Sequence, residues 1–211
     1  MRESLLLLFC VVCFSGFVAA KPPNFVLIFT DDQGYQDIGC FGSPLIKTPN
    51  LDAMAAAGRR FTSFYSANSV CSPSRAALMT GCYPTRVGIP GVLFPGHKTG
   101  LNPDEITIAE VLKARGYATA CVGKWHLGHK PKFLPTRQGF DSYLGIPYSN
   151  DMTIDPEMSL AADIVLREGF TADRVSKEKP RKNLVPLMRD GKVIEYPCDQ
   201  KTLTSRYTKE A

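Results

Sequence analysis

The sequence predicts an α/β fold, a largely parallel or mixed central sheet flanked by helices and incomplete at its C-terminal end. Three observations carry this expectation. Residues 24–30 read Asn-Phe-Val-Leu-Ile-Phe-Thr, a continuous apolar run that suits a strand buried on both faces. Strand and helix patterns then alternate as far as Gly123, the order that builds a sheet with helices packed on it. The last residues, 202–211, open a helical pattern that has no closing signal before Ala211.

After the first strand, Asp31-Asp32-Gln33-Gly34 breaks the run. Thr48 is set as an N-cap with Pro49 at the first helical position, and Leu51, Met54 and Ala55 share a face before Gly58 stops the turn. Phe61, Phe64 and Tyr65 favour a strand over 60–67. A helix is expected from about Pro73 through Arg75, Ala76, Ala77, Leu78 and Met79 to Gly81, which puts Cys71 at its entrance. Thr107-Ile108-Ala109-Glu110 has capping-box spacing, with Ile108, Val111 and Leu112 as the following stripe and Gly116 as the stop. Residues 117–123 form the next strand. Further on, 156–168 is expected to be helical, 168–183 is polar, and 185–196 reads as a hairpin turning at Asp190-Gly191. Ligands of such a sheet gather at the carboxyl ends of its strands.

At 211 residues and 44% hydrophobic content, the chain can bury one sizeable core, so one domain or most of one is expected. The net charge of +5 mildly favours anionic ligands, but the cations are dispersed except in Lys177-Glu178-Lys179-Pro180-Arg181-Lys182, a solvated loop rather than a nucleic-acid surface. Arg2, the apolar stretch from Leu5 to Val18 and the small residues Ala19 and Ala20 have the layout of a signal peptide over residues 1–20. Export follows, to a periplasmic, extracellular or lysosomal destination, and the stretch is too short for stable membrane insertion. Of seven cysteines, Cys10 and Cys13 fall in that leader; the remaining five, Cys40, Cys71, Cys82, Cys121 and Cys198, are odd in number, so at least one is unpaired or chemically special.

Two adjacent carboxylates directly after a buried strand are costly unless a cation compensates, and oxygen ligands suit calcium or, less well, magnesium; the plainer alternative for Asp31 and Asp32 is a solvated turn. Cys71 and Arg75 are four residues apart. On a helix beginning there they share the first turn, where free amides and the positive dipole end welcome an anion; a disulfide cysteine before a helix is the competing reading. Lys124 and His126 would point to the same side of a strand, although the segment reads equally as a loop.

Cys71-Ser72-Pro73-Ser74-Arg75 followed by Ala76-Ala77-Leu78-Met79-Thr80-Gly81 resembles the signature of the type I sulfatases, within the alkaline phosphatase superfamily. Asp31-Asp32-Gln33-Gly34-Tyr35, Thr48-Pro49-Asn50-Leu51-Asp52, Gly123-Lys124-Trp125-His126-Leu127-Gly128 and Gly139-Phe140-Asp141 follow in that family's order, so the resemblance covers roughly residues 23–150. Gly91-Val92-Leu93 and residues 144–149 are similar to the arylsulfatase A-like branch. The resemblance implies that Cys71 is oxidised to formylglycine by a maturation enzyme. The hydrate of its aldehyde then attacks the sulfur of a sulfate ester with one hydroxyl, and the second hydroxyl lets the carbonyl re-form as sulfate leaves. It also implies calcium held by Asp31, Asp32 and residue 71, Arg75 steadying that residue, Lys124 and His126 as catalytic groups on the sulfate or leaving oxygen, and Ser149 as a sulfate-binding hydroxyl. Sulfated small molecules, glycans and lipids all remain open as substrates. The family's other metal ligands and further sulfate-binding residues have no counterpart after Asn150. Residues 21–211 are therefore expected to be the N-terminal part of a catalytic domain, with weak calcium binding and little turnover alone. A phosphodiesterase or phosphonate hydrolase, and a non-enzymatic anion-binding module keeping Cys71 as a thiol, are the rival readings.

Overall fold

The computed structural model describes residues 21–177 and 183–211, in two units, residues 1–31 and 32–211. The expected leader and most of the 177–182 charge run lie outside the described residues.

In the first unit, residues 24–30 form no strand, and Phe25, Val26 and Ile28 are 63%, 85% and 69% exposed. The apolar run is thus not the buried first strand the sequence predicts. Periodicity states what a segment could bury; a doubly buried strand also needs hydrogen-bonded neighbours on both edges, and no described strand pairs with this one.

The second unit begins with two short 3-10 turns, Tyr35–Asp37 and Gly39–Phe41, then helix α1, Pro49–Ala57. Thr48 does not cap α1 through its side chain. Its hydroxyl instead accepts from the Gly39 amide at 2.8 Å and donates to Asp52 Oδ1 at 3.0 Å, while Asp52 accepts from the Cys40 amide at 2.7 Å. The expected strand over 60–67 is absent, and Phe61, Phe64 and Tyr65 are exposed. Helix α2 spans Cys71–Thr80 and ends where Gly81 takes a left-handed conformation, φ 67°. Helix α3, Ile108–Lys113, has the predicted capping box: Glu110 Oε2 accepts from the Thr107 amide at 2.7 Å, and Thr107 Oγ1 from the Glu110 amide at 3.3 Å. Its stripe is not the buried one, however; Ala109 is buried while Ile108 and Val111 are exposed.

The sheet has five strands: β1, Ala120–Val122; β2, Ser142–Gly145; β3, Leu160–Leu166; β4, Leu187–Arg189; and β5, Lys192–Tyr196. Their order is β1-β2-β4-β5-β3, with β1/β2 and β3/β5 parallel and the other two pairs antiparallel, so the sheet is mixed. The hairpin turns at Asp190, φ 55°, opposite the Arg189–Lys192 pair. The strand period of two divides β2 and β4 between two cores. Tyr143 and Met188 join Ala76 of α2, Ile89, Leu101, Trp125 and Leu127 on one face, and Leu144 and Leu187 join Ile146, Val185 and Leu203 on the other.

Residues 156–168 contain β3 rather than a helix. Pairing with β5, through Leu160 to Val193 and Leu166 to Tyr196, overrides the helix propensity of Glu157 to Ala162. The polar stretch after Glu168 holds helix α4, Ala172–Lys177, seated by Phe170 and Val175. The terminal pattern is helix α5, Leu203–Glu210.

Candidate active site at the start of helix α2

Extended Val70 (φ −124°, ψ 158°) turns the chain so that Cys71 is the first residue of α2, half-buried, with the Ser74 amide already bonded back to Val70 O at 3.1 Å. Three side chains then tie this turn to its surroundings. Ser72, fully buried, accepts from the Leu93 amide through Oγ at 3.1 Å. His126, also fully buried, meets the Leu93 carbonyl with Nε2 at 2.8 Å. A carbonyl only accepts, so Nε2 carries the proton and Nδ1 is the nitrogen on the other edge of the ring. The backbone of one residue, Leu93, therefore spans from the residue after Cys71, through its amide, to His126, through its carbonyl. Arg75, one turn along α2, donates from Nη1 to the Lys124 carbonyl at 2.5 Å.

The segment carrying Lys124 and His126 is a loop leaving β1. It runs beside the chain leaving β2, with the Gly123 amide on Leu144 O at 2.8 Å, Trp125 on Ile146 O at 3.0 Å and His126 on Pro147 O at 3.3 Å. His126 is left-handed, φ 59°, an uncommon state for a residue with a Cβ that the two contacts of its ring and amide hold in place. Gly145 lets the two strand ends approach, because a Cβ there would stand 1.7 Å from Gly123 O. Lys124 is half-buried. Ser149, two residues beyond Pro147, is half-buried and its carbonyl accepts from the Met152 amide at 3.1 Å. The structure thus ties the first turn of α2, which Cys71 opens, to the Lys124 and His126 loop beyond β1 through Arg75, Ser72 and Leu93, with Ser149 in the adjoining segment.

Asp31 belongs to the first unit and Asp32 to the second, where it is left-handed (φ 53°) and exposed. Among the described residues no group of three His, Cys, Asp or Glu is placed to hold a metal ion. The donor chemistry fits a hard cation conditionally: carboxylate oxygens suit calcium, but the Cys71 thiol is a soft donor and joins such a set only after oxidation to an oxygen-bearing group.

The five described cysteines are free thiols. Burial pushes Cys121 up to about 12, against the opposing pull of Arg75, and burial likewise pushes Cys198 up to about 12, with Glu195 adding to the rise. Both are protonated and inert at neutral pH. Sequence reasoning missed Ser72 and Leu93 as parts of this site. The Ser72 hydroxyl, four residues before the first helical alanine, Ala76, gives no local signal, and a backbone group gives none at all.

Residues 23–192 match the family model described as Sulfatase. The chain belongs to the sulfatase family. This sulfatase is 59% identical over 140 residues to human arylsulfatase A, covering 65% of this chain and 28% of that protein. It is 38% identical over 202 residues to human arylsulfatase G, covering 94% of this chain and 38% of the relative. Among solved structures it is similar to Ps i-CgsB, with TM-score 0.73 and 33% identity over 89% of this chain and 40% of that one. The chain thus spans about a third of the length of these relatives. The expected α/β fold and the resemblance to arylsulfatase A-like proteins are both borne out, the sheet in its mixed form.

Proposed function

We propose that the whole enzyme, of which residues 21–211 are the N-terminal part of the catalytic domain, is an arylsulfatase-like sulfuric ester hydrolase. It cleaves a sulfate monoester of a small molecule, glycan or lipid through a formylglycine hydrate made from Cys71. Residues 1–20 serve as the export signal, for a periplasmic, extracellular or lysosomal enzyme. Among the described residues no helix is long and apolar enough to cross a membrane.

The observation that carries this reading is the pair of links tying the Cys71 turn to the 124–126 loop: Arg75 on the Lys124 carbonyl, and Ser72 and His126 on the amide and the carbonyl of Leu93. They hold a nucleophile position, a permanent cation and an imidazole around one helix N-terminus. The positive end of the helix dipole favours an oxyanion there. Arg75, one helical turn from residue 71, spends one donor on the Lys124 carbonyl and steadies residue 71. Lys124 offers a cation to the sulfate oxygens. His126, its ring fixed by the Nε2 contact with Leu93, is the proton-transfer group at the ester oxygen. Ser149 contributes a hydroxyl to sulfate binding.

The geminal diol of residue 71 explains why an oxidised cysteine is needed. One hydroxyl attacks sulfur as the alcohol departs, and the other then loses its proton so that the C=O bond re-forms and sulfate leaves, with water restoring the diol. Asp31, Asp32 and oxidised Cys71 would be the oxygen donors to calcium, which there would neutralise sulfate charge and ease deprotonation of the attacking hydroxyl.

Turnover by the whole enzyme tests the proposal. Nitrophenyl sulfate is cleaved and nitrophenyl phosphate is a poor substrate; the reverse preference contradicts the reading. His126→Ala and Lys124→Ala each lower kcat by about 10²- to 10³-fold.

A further inference from the structure

A second cluster of ionisable side chains lies outside the Cys71 turn. His129 is 4% exposed, and its Nε2 meets Asp155 Oδ2 at 2.6 Å. The same carboxylate oxygen accepts from Lys130 Nζ at 2.8 Å, and Oδ1 accepts from the Glu157 amide at 2.9 Å. Lys130 also donates to Glu157 Oε2 at 2.6 Å. The Tyr148 ring packs on the His129 ring with centroids 4.9 Å apart, and the Tyr148 hydroxyl points at Met158 Sδ, 3.6 Å away. Asp155, Lys130 and Glu157 are the charged groups that face this imidazole.

Burial holds the His129 imidazole below its ordinary pKa, outweighing the pull of Asp155. Asp155 stays ionised against the effect of burial, because Lys130, the Glu157 amide and His129 all bond to it. At neutral pH a neutral imidazole therefore donates to a carboxylate whose oxygens are fully engaged.

The three segments so joined are those that flank the candidate site. His129 ends the loop that carries Lys124 and His126. Tyr148 immediately precedes Ser149. Asp155 and Met158 lie in the turn that leads into β3. The loop and the 146–148 segment already share the Trp125–Ile146 and His126–Pro147 hydrogen bonds, and the His129–Tyr148 stack closes the other end of that contact.

We propose that His129 and Asp155 are a positioning pair, which fixes the Lys124/His126 loop against the Ser149 segment by locking both to the turn before β3. The roles of Lys124, His126 and Ser149 rest on the sulfatase reading, but the mechanical link between the segments does not.

Trp125 sits between Lys124 and His126 and is the only tryptophan in the sequence. Its ring is buried, with Nε1 donating to Phe133 O at 2.9 Å. Its fluorescence in the full 211-residue chain reports the loop without any turnover. His129→Ala and Asp155→Ala each shift Trp125 emission to the red and raise its acrylamide quenching about 2- to 5-fold, with far-UV dichroism unchanged. The double variant falls short of the sum of the two single ones, since both remove the His129–Asp155 contact. His129→Gln, whose amide still donates to Asp155, recovers most of the protection, which a mere loss of packing volume would not predict. Should Asp155→Ala not fold, Asp155→Asn gives the same shift at smaller amplitude. Emission and quenching unmoved in both single variants, or fully additive effects in the double, overturn the pairing. Failure of the whole enzyme to cleave sulfate esters alongside a clear Trp125 response overturns the sulfatase reading and leaves the positioning pair standing.

Discussion

Ser72 uses its hydroxyl on the Leu93 amide in a fully buried setting, so Ser72→Ala leaves an N–H with no replacement partner. The cost is about 1–3 kcal/mol, read as a lower urea midpoint, and kcat of the whole enzyme falls because the carbonyl of the same residue, Leu93, holds His126. Glu195 is the clearest titrating residue. Burial by itself raises its pKa, yet the Asp199 amide at 2.9 Å, Arg206 at 2.5 Å and Arg167 at 2.8 Å outweigh burial and hold it below the ordinary carboxylate range. A depressed carboxylate stabilises the fold above its unfolded pKa and loses that contribution as pH falls through the depressed value. Glu195→Gln therefore lowers stability by about 2–3 kcal/mol near neutral pH, less than for a wholly buried pair because both guanidinium groups reach solvent, and it flattens the acid limb of a urea-midpoint titration. An unchanged acid limb contradicts this assignment. Of the residue-scale site, the Cys71–Arg75 relation was legible because both sit on one local turn. The Leu93 backbone was not, because it arrives from 21 residues away and carries no side-chain signature.

Among the elements, those closed by local chemistry were readable and those closed by distant partners were not. The Thr107–Glu110 capping box, Gly81 at the end of α2 and the Asp190-Gly191 turn each satisfy backbone groups within a few residues, so sequence suffices. Residues 24–30 and 60–67 show why an apolar pattern alone does not make a strand, since no described neighbour offers them a ladder. Residues 160–166 show the converse, an Ala-containing segment drawn into the sheet by β5. Gly145 is the element-scale test. A methyl group there meets Gly123 O at 1.7 Å, and backbone on backbone cannot yield by a rotamer change. Gly145→Ala should separate the ends of β1 and β2, cost more than about 3 kcal/mol, and displace Lys124 from Arg75. A variant with the parent's thermal midpoint and Trp125 emission contradicts that account.

At the scale of the molecule, the mixed sheet divides its side chains between two cores and leaves the ends of β1 and β2 to meet the first turn of α2. The predicted alternation of strands and helices gave the α/β class, while the antiparallel hairpin of β4 and β5 in the middle of the sheet depends on strand order, which periodicity does not encode. The functional account depends on chemistry at one side chain in this frame. Peptide mass spectrometry across Phe61 to Arg75 of natively exported protein is the most direct measurement. The account predicts a peptide lighter than the cysteine form that reacts with carbonyl reagents at position 71; an intact thiol there, or a disulfide, would contradict it.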